Sequence, residues 1–303
     1  MSKSQKAILA LIIANIIWGI STPMIKWTIQ FVPFGTFLFL RMMIPAIFLF
    51  FLFPKKLTMR THDFWINTIA VLIGITANFY IGVLALSKTA SINGPIIGSS
   101  GPLFLMLGAV FFLHETPSRK ALFGNFLAFL GICIIVIQPL LTHGAQGSSL
   151  TGNLLLLVAT LVSVIGTLIT KPLMKRISVP AVTFWSFFIS GICFTPLLWQ
   201  DIRTVGFLPH FGIQAAIGLA FGILLASALA YYLYFWALKY ANAYEIGIFT
   251  YMDPVITLLV AAPLLHEYPS FLFLAGSTMV FLGIFIAEGR LHYHPIQKLL
   301  LSI

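Results

Sequence analysis

Acidic residues are the scarcest feature of this chain. Only seven of 303 residues are Asp or Glu, and charges of both signs make up 8% of the sequence. A soluble chain of this length carries about 25% charged residues to cover its surface. So few charges exclude a water-coated globular domain. Cysteine is almost missing too. Cys133 and Cys193 stand alone within apolar stretches, which excludes a disulfide framework and a cysteine metal motif, and both are expected to pack as small apolar side chains. Neither His-Glu pair, His114-Glu115 nor His266-Glu267, extends to H-E-x-x-H, because Ser118 and Ser270 stand where the second histidine belongs. The "HYH" at 292–294 is too short for a metal site. No nucleophile–base set or ATP-binding motif has recognisable spacing, so no enzyme, cofactor or metal is expected, and any transport would draw on gradients or exchange.

What the chain has in abundance is apolar length. Sixty per cent of its residues are hydrophobic and the mean hydropathy is +1.04. Runs of about 20 apolar residues are the length of a membrane-spanning helix. Ten occur, at about 7–27, 34–53, 64–86, 91–113, 121–141, 150–170, 181–199, 213–238, 243–265 and 271–288. The first follows Lys3 and Lys6 as a signal peptide would. It is long for one, lacks a small-x-small cleavage site and precedes nine more spans, so it reads as a retained helix.

The formal charge of +10 could suggest nucleic acid, but its distribution argues for membrane topology. With the N-terminus in the cytoplasm, 13 Lys and Arg residues fall on that side: Lys3, Lys6, Lys55, Lys56, Arg60, Arg119, Lys120, Lys171, Lys175, Arg176, Lys239, Arg290 and Lys298. Lys26, Lys88 and Arg203 fall outside, and Arg41 lies within a span. This asymmetry predicts both termini in the cytoplasm. It leaves no basic patch for a nucleic acid.

The two halves repeat. Residues 85–132 align without a gap on 237–284, with 17 of 48 positions identical. The matches include Pro102 with Pro254, His114-Glu115 with His266-Glu267, and Gly124 and Gly131 with Gly276 and Gly283. A weaker match at an offset of 147 pairs Gly19 with Gly166, Pro33 with Pro180 and Thr36-Phe37 with Thr183-Phe184. The expected organisation is one five-helix unit at 5–139, a second at 150–289 and a cytoplasmic tail at 290–303, joined by an external linker near 140–149. Because five is odd, the second unit starts on the opposite side of the membrane and must be inverted. Inverted repeats are a recurrent plan of secondary transporters, with substrate sites near the midplane where the repeats meet.

The stretches "WGISTP" (18–23), "GPLFLMLGAVFFLHE" (101–115), "DPVITLLVAAPLLHE" (253–267), "GNFLAFLGI" (124–132) and "GSTMVFLGI" (276–284), with Arg41, carry a resemblance. The chain resembles the EamA-type transporters of the drug/metabolite transporter superfamily over nearly its whole length, once per repeat. The resemblance implies ten transmembrane helices and export or exchange of small organic metabolites, amino acids being frequent. Glu245 and Asp253 depart from it, since such proteins more usually carry uncharged residues there.

Candidate site residues follow from polarity inside apolar spans. Asp253 before Pro254 can cap a helix that restarts after a break, as Gly101-Pro102 would in the first repeat. Because a carboxylate near the bilayer centre is costly and usually lines a pathway, Asp253 is also expected to sense a coupling proton or a solute ammonium. Glu245, eight residues earlier, either faces the same cavity or sits in the first helical turn as an interfacial acid. Arg41 either snorkels, caps neighbouring carbonyls or pairs with Asp253. Polar residues at helical spacing form stripes: Asn15, Trp18 and Thr22; Thr160, Ser163, Thr167 and Thr170; Ser227, Tyr231 and Tyr234. Each is either interhelical glue or, with Asn78 and Tyr251, one wall of a central cavity suited to a small amphipathic solute. Gly124, Gly131, Gly276 and Gly283 are expected to bring two helices close. The reading is an all-α inner-membrane transporter, with a passive channel or multidrug efflux as alternatives. Its expected partners are a small solute, protons and lipid, and a homodimer is left open.

Overall fold

The computed structural model describes residues 3–101, 103–104, 119–141, 148–206, 212–240 and 252–288, with the side chains of 3–5, 121, 238 and 288 excepted. Pro102, His114, Glu115, Glu245, Tyr251 and the tail from 290 lie outside the described residues. Every regular element among them is helical. They are α1 (Lys3–Thr28), α2 (Phe34–Leu52), α3 (Thr61–Leu86), α4 (Asn93–Gly98), α5 (Arg119–Leu141), α6 (Leu150–Leu173), α7 (Val179–Thr204), α8 (Ile213–Ala237), α9 (Met252–Leu265) and α10 (Phe271–Glu288).

Local sequence sets several starts. Ser149 caps α6 by accepting from the Gly152 amide at 3.0 Å, and Ser178 caps α7 through the Ala181 amide at 3.3 Å. Pro180 occupies the first turn of α7, where a missing N–H costs nothing. Two helices depart from regular α geometry. Leu72–Ala77 in α3 and Phe221–Leu229 in α8 are wound as π-helix.

Seven of the described helices are long and apolar enough to cross a membrane, and α9 and α10 are shorter apolar helices. Large hydrophobic side chains cover the outside, among them Phe51, Phe126, Leu259 and Phe271, the last 83% exposed. In water such a surface would aggregate, so lipid is its solvent. Cys193 lies on this exposed surface rather than packing inside as expected, whereas Cys133 is half-buried.

The packing repeats as the sequence does. The chief partners are α5 with α10, α2 with α7, α1 with α8 and α9, and α3 with α6. Exchanging the halves turns α1–α8 into α6–α3 and leaves α5–α10 and α2–α7 unchanged. The close approach of α5 to α10 needs glycine. A Cβ on Gly131 would meet the Gly276 carbonyl oxygen at 2.5 Å, while Gly124 abuts Ala287 and the Gly283 carbonyl. These pairings run in opposite orders along the two helices, so α5 and α10 are antiparallel. Gly35 against Leu197 and Gly191 against Met43 make α2 and α7 antiparallel as well.

Candidate functional site

One end of the bundle is held by a dense polar cluster around Glu267, a residue only 5% exposed. His266 adopts a left-handed backbone with φ of 53°, a conformation that strains a non-glycine residue. Next to that turn, Glu267 meets the chain between α3 and α4. Its carboxylate accepts from Lys26 Nζ at 2.6 Å, from the Ser91 amide and hydroxyl at 2.7 and 2.6 Å, and from the Ile92 amide at 3.3 Å. Lys26 Nζ also donates to the Thr89 carbonyl at 2.7 Å. Asn153 at the start of α6 extends the cluster. Its Oδ1 accepts from the Thr89 hydroxyl at 2.7 Å and from Asn93 Nδ2 at 2.9 Å, and its Nδ2 donates to the Ile135 carbonyl at 3.0 Å. Segments from α1, α4, α5, α6 and α9 are thereby tied together. At the opposite end Arg176 meets Asp63 at 3.3 Å, and Asn67, one turn further along α3, is buried with neither amide atom partnered.

Deeper in the protein the chemistry changes. Trp18 of α1 stands against Tyr231 and Tyr234 of α8, both at 5.1 Å between ring centroids, and its indole N–H donates to the Ala226 carbonyl at 3.2 Å. Ala226 and Ser227 lie in the π-wound stretch of α8, a departure often found at functional sites. The Tyr234 hydroxyl lies near Thr167 of α6. Tyr231, Tyr234 and Asp253 are each half-buried.

Arg41 and Asp253 belong to this deep region, and they do not pair. Arg41 is 2% exposed and lies roughly 10 Å along α2 from its start. Its Nε donates to Ser227 Oγ at 3.1 Å and its Nη2 to Ser21 Oγ at 3.3 Å, and its guanidinium carbon sits 4.8 Å from the centre of the Phe79 ring. Nη1 has no partner. Asp253 opens α9, where Thr257 donates to the Gly19 carbonyl at 2.7 Å. Contacts at Gly19–Ile256 and Lys26–Glu267 show that α1 and α9 run in the same direction. Asp253 therefore lies one turn below Thr257 as Asn15 lies one turn below Gly19. Asp253 Oδ1 and Asn15 Oδ1 are both buried and unpartnered, while Asn15 Nδ2 binds its own helix at the Leu11 carbonyl, at 2.7 Å.

Of the residues singled out from sequence, the structure gathers Trp18, Tyr231, Thr167 and Arg41 through the contacts above, and sets Asp253 and Asn15 on the α9 and α1 sides of the bundle. Asn78 ties α3 to α6 by donating to the Ala159 carbonyl at 2.8 Å. Pro254 is buried within the first turn of α9, whereas Pro102, Glu245 and Tyr251 lie outside the described residues. Sequence reasoning missed Lys26, Ser91 and Glu267. The available signal was an acid recurring in both halves of an acid-poor chain.

Helices sheathed in exposed apolar side chains around buried polar groups define a multi-pass membrane protein. The sequence matches the EamA-like transporter family twice, over residues 5–137 and 150–288, and the chain belongs to that family. An uncharacterized transporter of Archaeoglobus fulgidus is 22% identical over 95% of this chain and 99% of its own length. The uncharacterized transporter YoaV of Bacillus subtilis is 25% identical over 93% and 96%. A solved crystal structure covers 95% of this chain and 98% of its own with a TM-score of 0.65 at 15% identity, which bears on fold alone.

Proposed function

We propose that this protein is a secondary transporter of the inner membrane that moves a small organic, amphipathic metabolite, an amino acid or similar solute, by export or exchange. The observation that carries this reading is the set of polar and aromatic groups inside the bundle, Trp18, Tyr231, Arg41 and Asp253, beside an end fastened by the Glu267 cluster. A polar interior fastened at one end suits alternating access, and a fastened end favours a carrier over an open channel. In this reading ten helices form two inverted five-helix repeats, 5–139 and 150–289, and both termini are cytoplasmic. The antiparallel mates α5–α10 and α2–α7 support the inversion, and the asymmetry of Lys and Arg supports the orientation. Asp253, with Glu245, supplies the charge that couples solute to protons or meets a solute ammonium.

Purified protein in proteoliposomes, offered a panel of metabolites with and without a proton gradient, tests this. Saturable, gradient-dependent accumulation of at least one solute is expected; passive equilibration of every solute would replace the carrier with a channel. Orientation is tested by placing cysteine at the exposed Ser87. Labelling from outside intact cells is expected, and labelling only after permeabilisation would reverse the topology.

A further inference from the structure

We infer that the transported solute carries a carboxylate and that Arg41 is its anchor, an inference that rests on the transport reading above. A guanidinium offers five N–H donors, and Arg41 uses two of them, both on neutral serine hydroxyls. Its Nη1 is buried without an acceptor. Among the described residues no carboxylate lies within ion-pair distance of it. A buried cation without an anion is strongly unfavourable and is normally matched by a counter-charge. Among the described residues only hydroxyls and ring faces surround it, which leaves the counter-charge to a bound anion.

The donors left over favour a planar anion. With Nε held by Ser227 and one Nη2 hydrogen held by Ser21, three N–H donors on Nη1 and Nη2 remain. Two parallel N–H bonds from one guanidinium edge match the two oxygens of a carboxylate. Phe79 lies on the guanidinium face, and Tyr231 stands against Phe79 with ring centroids 6.0 Å apart. Tyr231 in turn adjoins Trp18. A solute whose carboxylate reaches Arg41 would therefore rest its apolar body against Tyr231 and Trp18. Arg41 has almost no exposed surface, so binding requires a neighbouring side chain to shift and uncover Nη1.

The test is ligand-induced thermal stabilisation of the full-length protein in detergent. Acetate, benzoate, phenylacetate and phenylalanine are each compared with the corresponding amide or methyl ester, which lack the carboxylate, with inorganic phosphate and chloride as further arms. At least one carboxylate should stabilise the wild type while its amide does not. In Arg41→Gln that carboxylate should bind about ten- to a hundred-fold more weakly, with partial recovery in Arg41→Lys. Equal stabilisation by amides, unchanged affinity in Arg41→Gln, or a response to phosphate or chloride alone would overturn the assignment. If Arg41→Gln does not fold, Ser21→Ala decides instead. It frees an Arg41 donor and should change carboxylate affinity without changing that of uncharged ligands; no change would count against the anchor. A carrier that accumulates only uncharged or cationic solutes would keep the transport reading and lose this inference. Carboxylate binding without any transport would do the reverse.

Discussion

Glu267 and Arg41 are both buried ionised side chains, and their surroundings could hardly differ more. Glu267 has a cation, two backbone amides and a hydroxyl directed at its two oxygens. Arg41 has two hydroxyls, an aromatic face and an orphan nitrogen. A fully satisfied polar group rigidifies what it joins, whereas an unsatisfied one raises the energy of the state that contains it. The first therefore acts as a fastening at one end of the bundle. The second leaves the interior in need of a ligand.

Breaking the fastening should have the largest effect on the fold. Glu267→Ala strands Lys26 and two backbone amides and is expected to lower stability by about 2–4 kcal/mol, read as a fall in unfolding temperature in detergent. Adding Lys26→Met should restore part of the loss. An unaltered melting curve for Glu267→Ala would show that the cluster fastens nothing.

A lesion at the α5–α10 contact sharpens the comparison. Gly131→Leu must push α10 away, because even a Cβ there would crowd the Gly276 carbonyl and the Val280 amide. Overpacking of this kind is expected to cost about 1–3 kcal/mol or more and to slow transport with solute selectivity unchanged. Normal stability together with altered selectivity would place the α5–α10 contact in the binding site instead.

Arg41→Met should affect the fold far less than Glu267→Ala despite deeper burial. Replacing an uncompensated charge with an apolar side chain of similar length is expected to change stability by about 1 kcal/mol or less, in either direction. A loss as large as that of Glu267→Ala would mean that Arg41 is matched within the protein and needs no ligand.

The smallest expected effect on folding belongs to Asp253→Asn, because asparagine matches aspartate in size and caps a helix about as well. Its consequence should appear in function, as loss of proton-dependent solute accumulation with exchange retained. Wild-type accumulation and pH response in this variant would reduce Asp253 to a cap.

Membrane embedding, the approximate helix positions, the duplication and the α5–α10 contact were all legible from the residues. Each rests on a local or periodic property: apolar length, spacing of glycines, or recurrence of the same punctuation in two halves. The polar stripes were legible as stripes. Their division of labour was not, since Asn78 serves the α6 backbone while Trp18 packs against Tyr231. Burial of Cys193 was misjudged because position within an apolar span does not say which face of the helix meets lipid.

What the sequence determined by itself is therefore the solvent and the twofold plan: scarce charge and long apolar runs leave only a bilayer, and the same punctuation recurs in two halves. Tertiary structure alone decided which polar groups find partners. Glu267 binds residues about 175 and 241 positions away, and Arg41 reaches Ser227 rather than Asp253, because hydrogen bonds depend on a few tenths of an ångström and a bond angle. Those are set when the helices pack, and the π-wound turn that offers Ala226 and Ser227 to α1 and α2 is part of that packing.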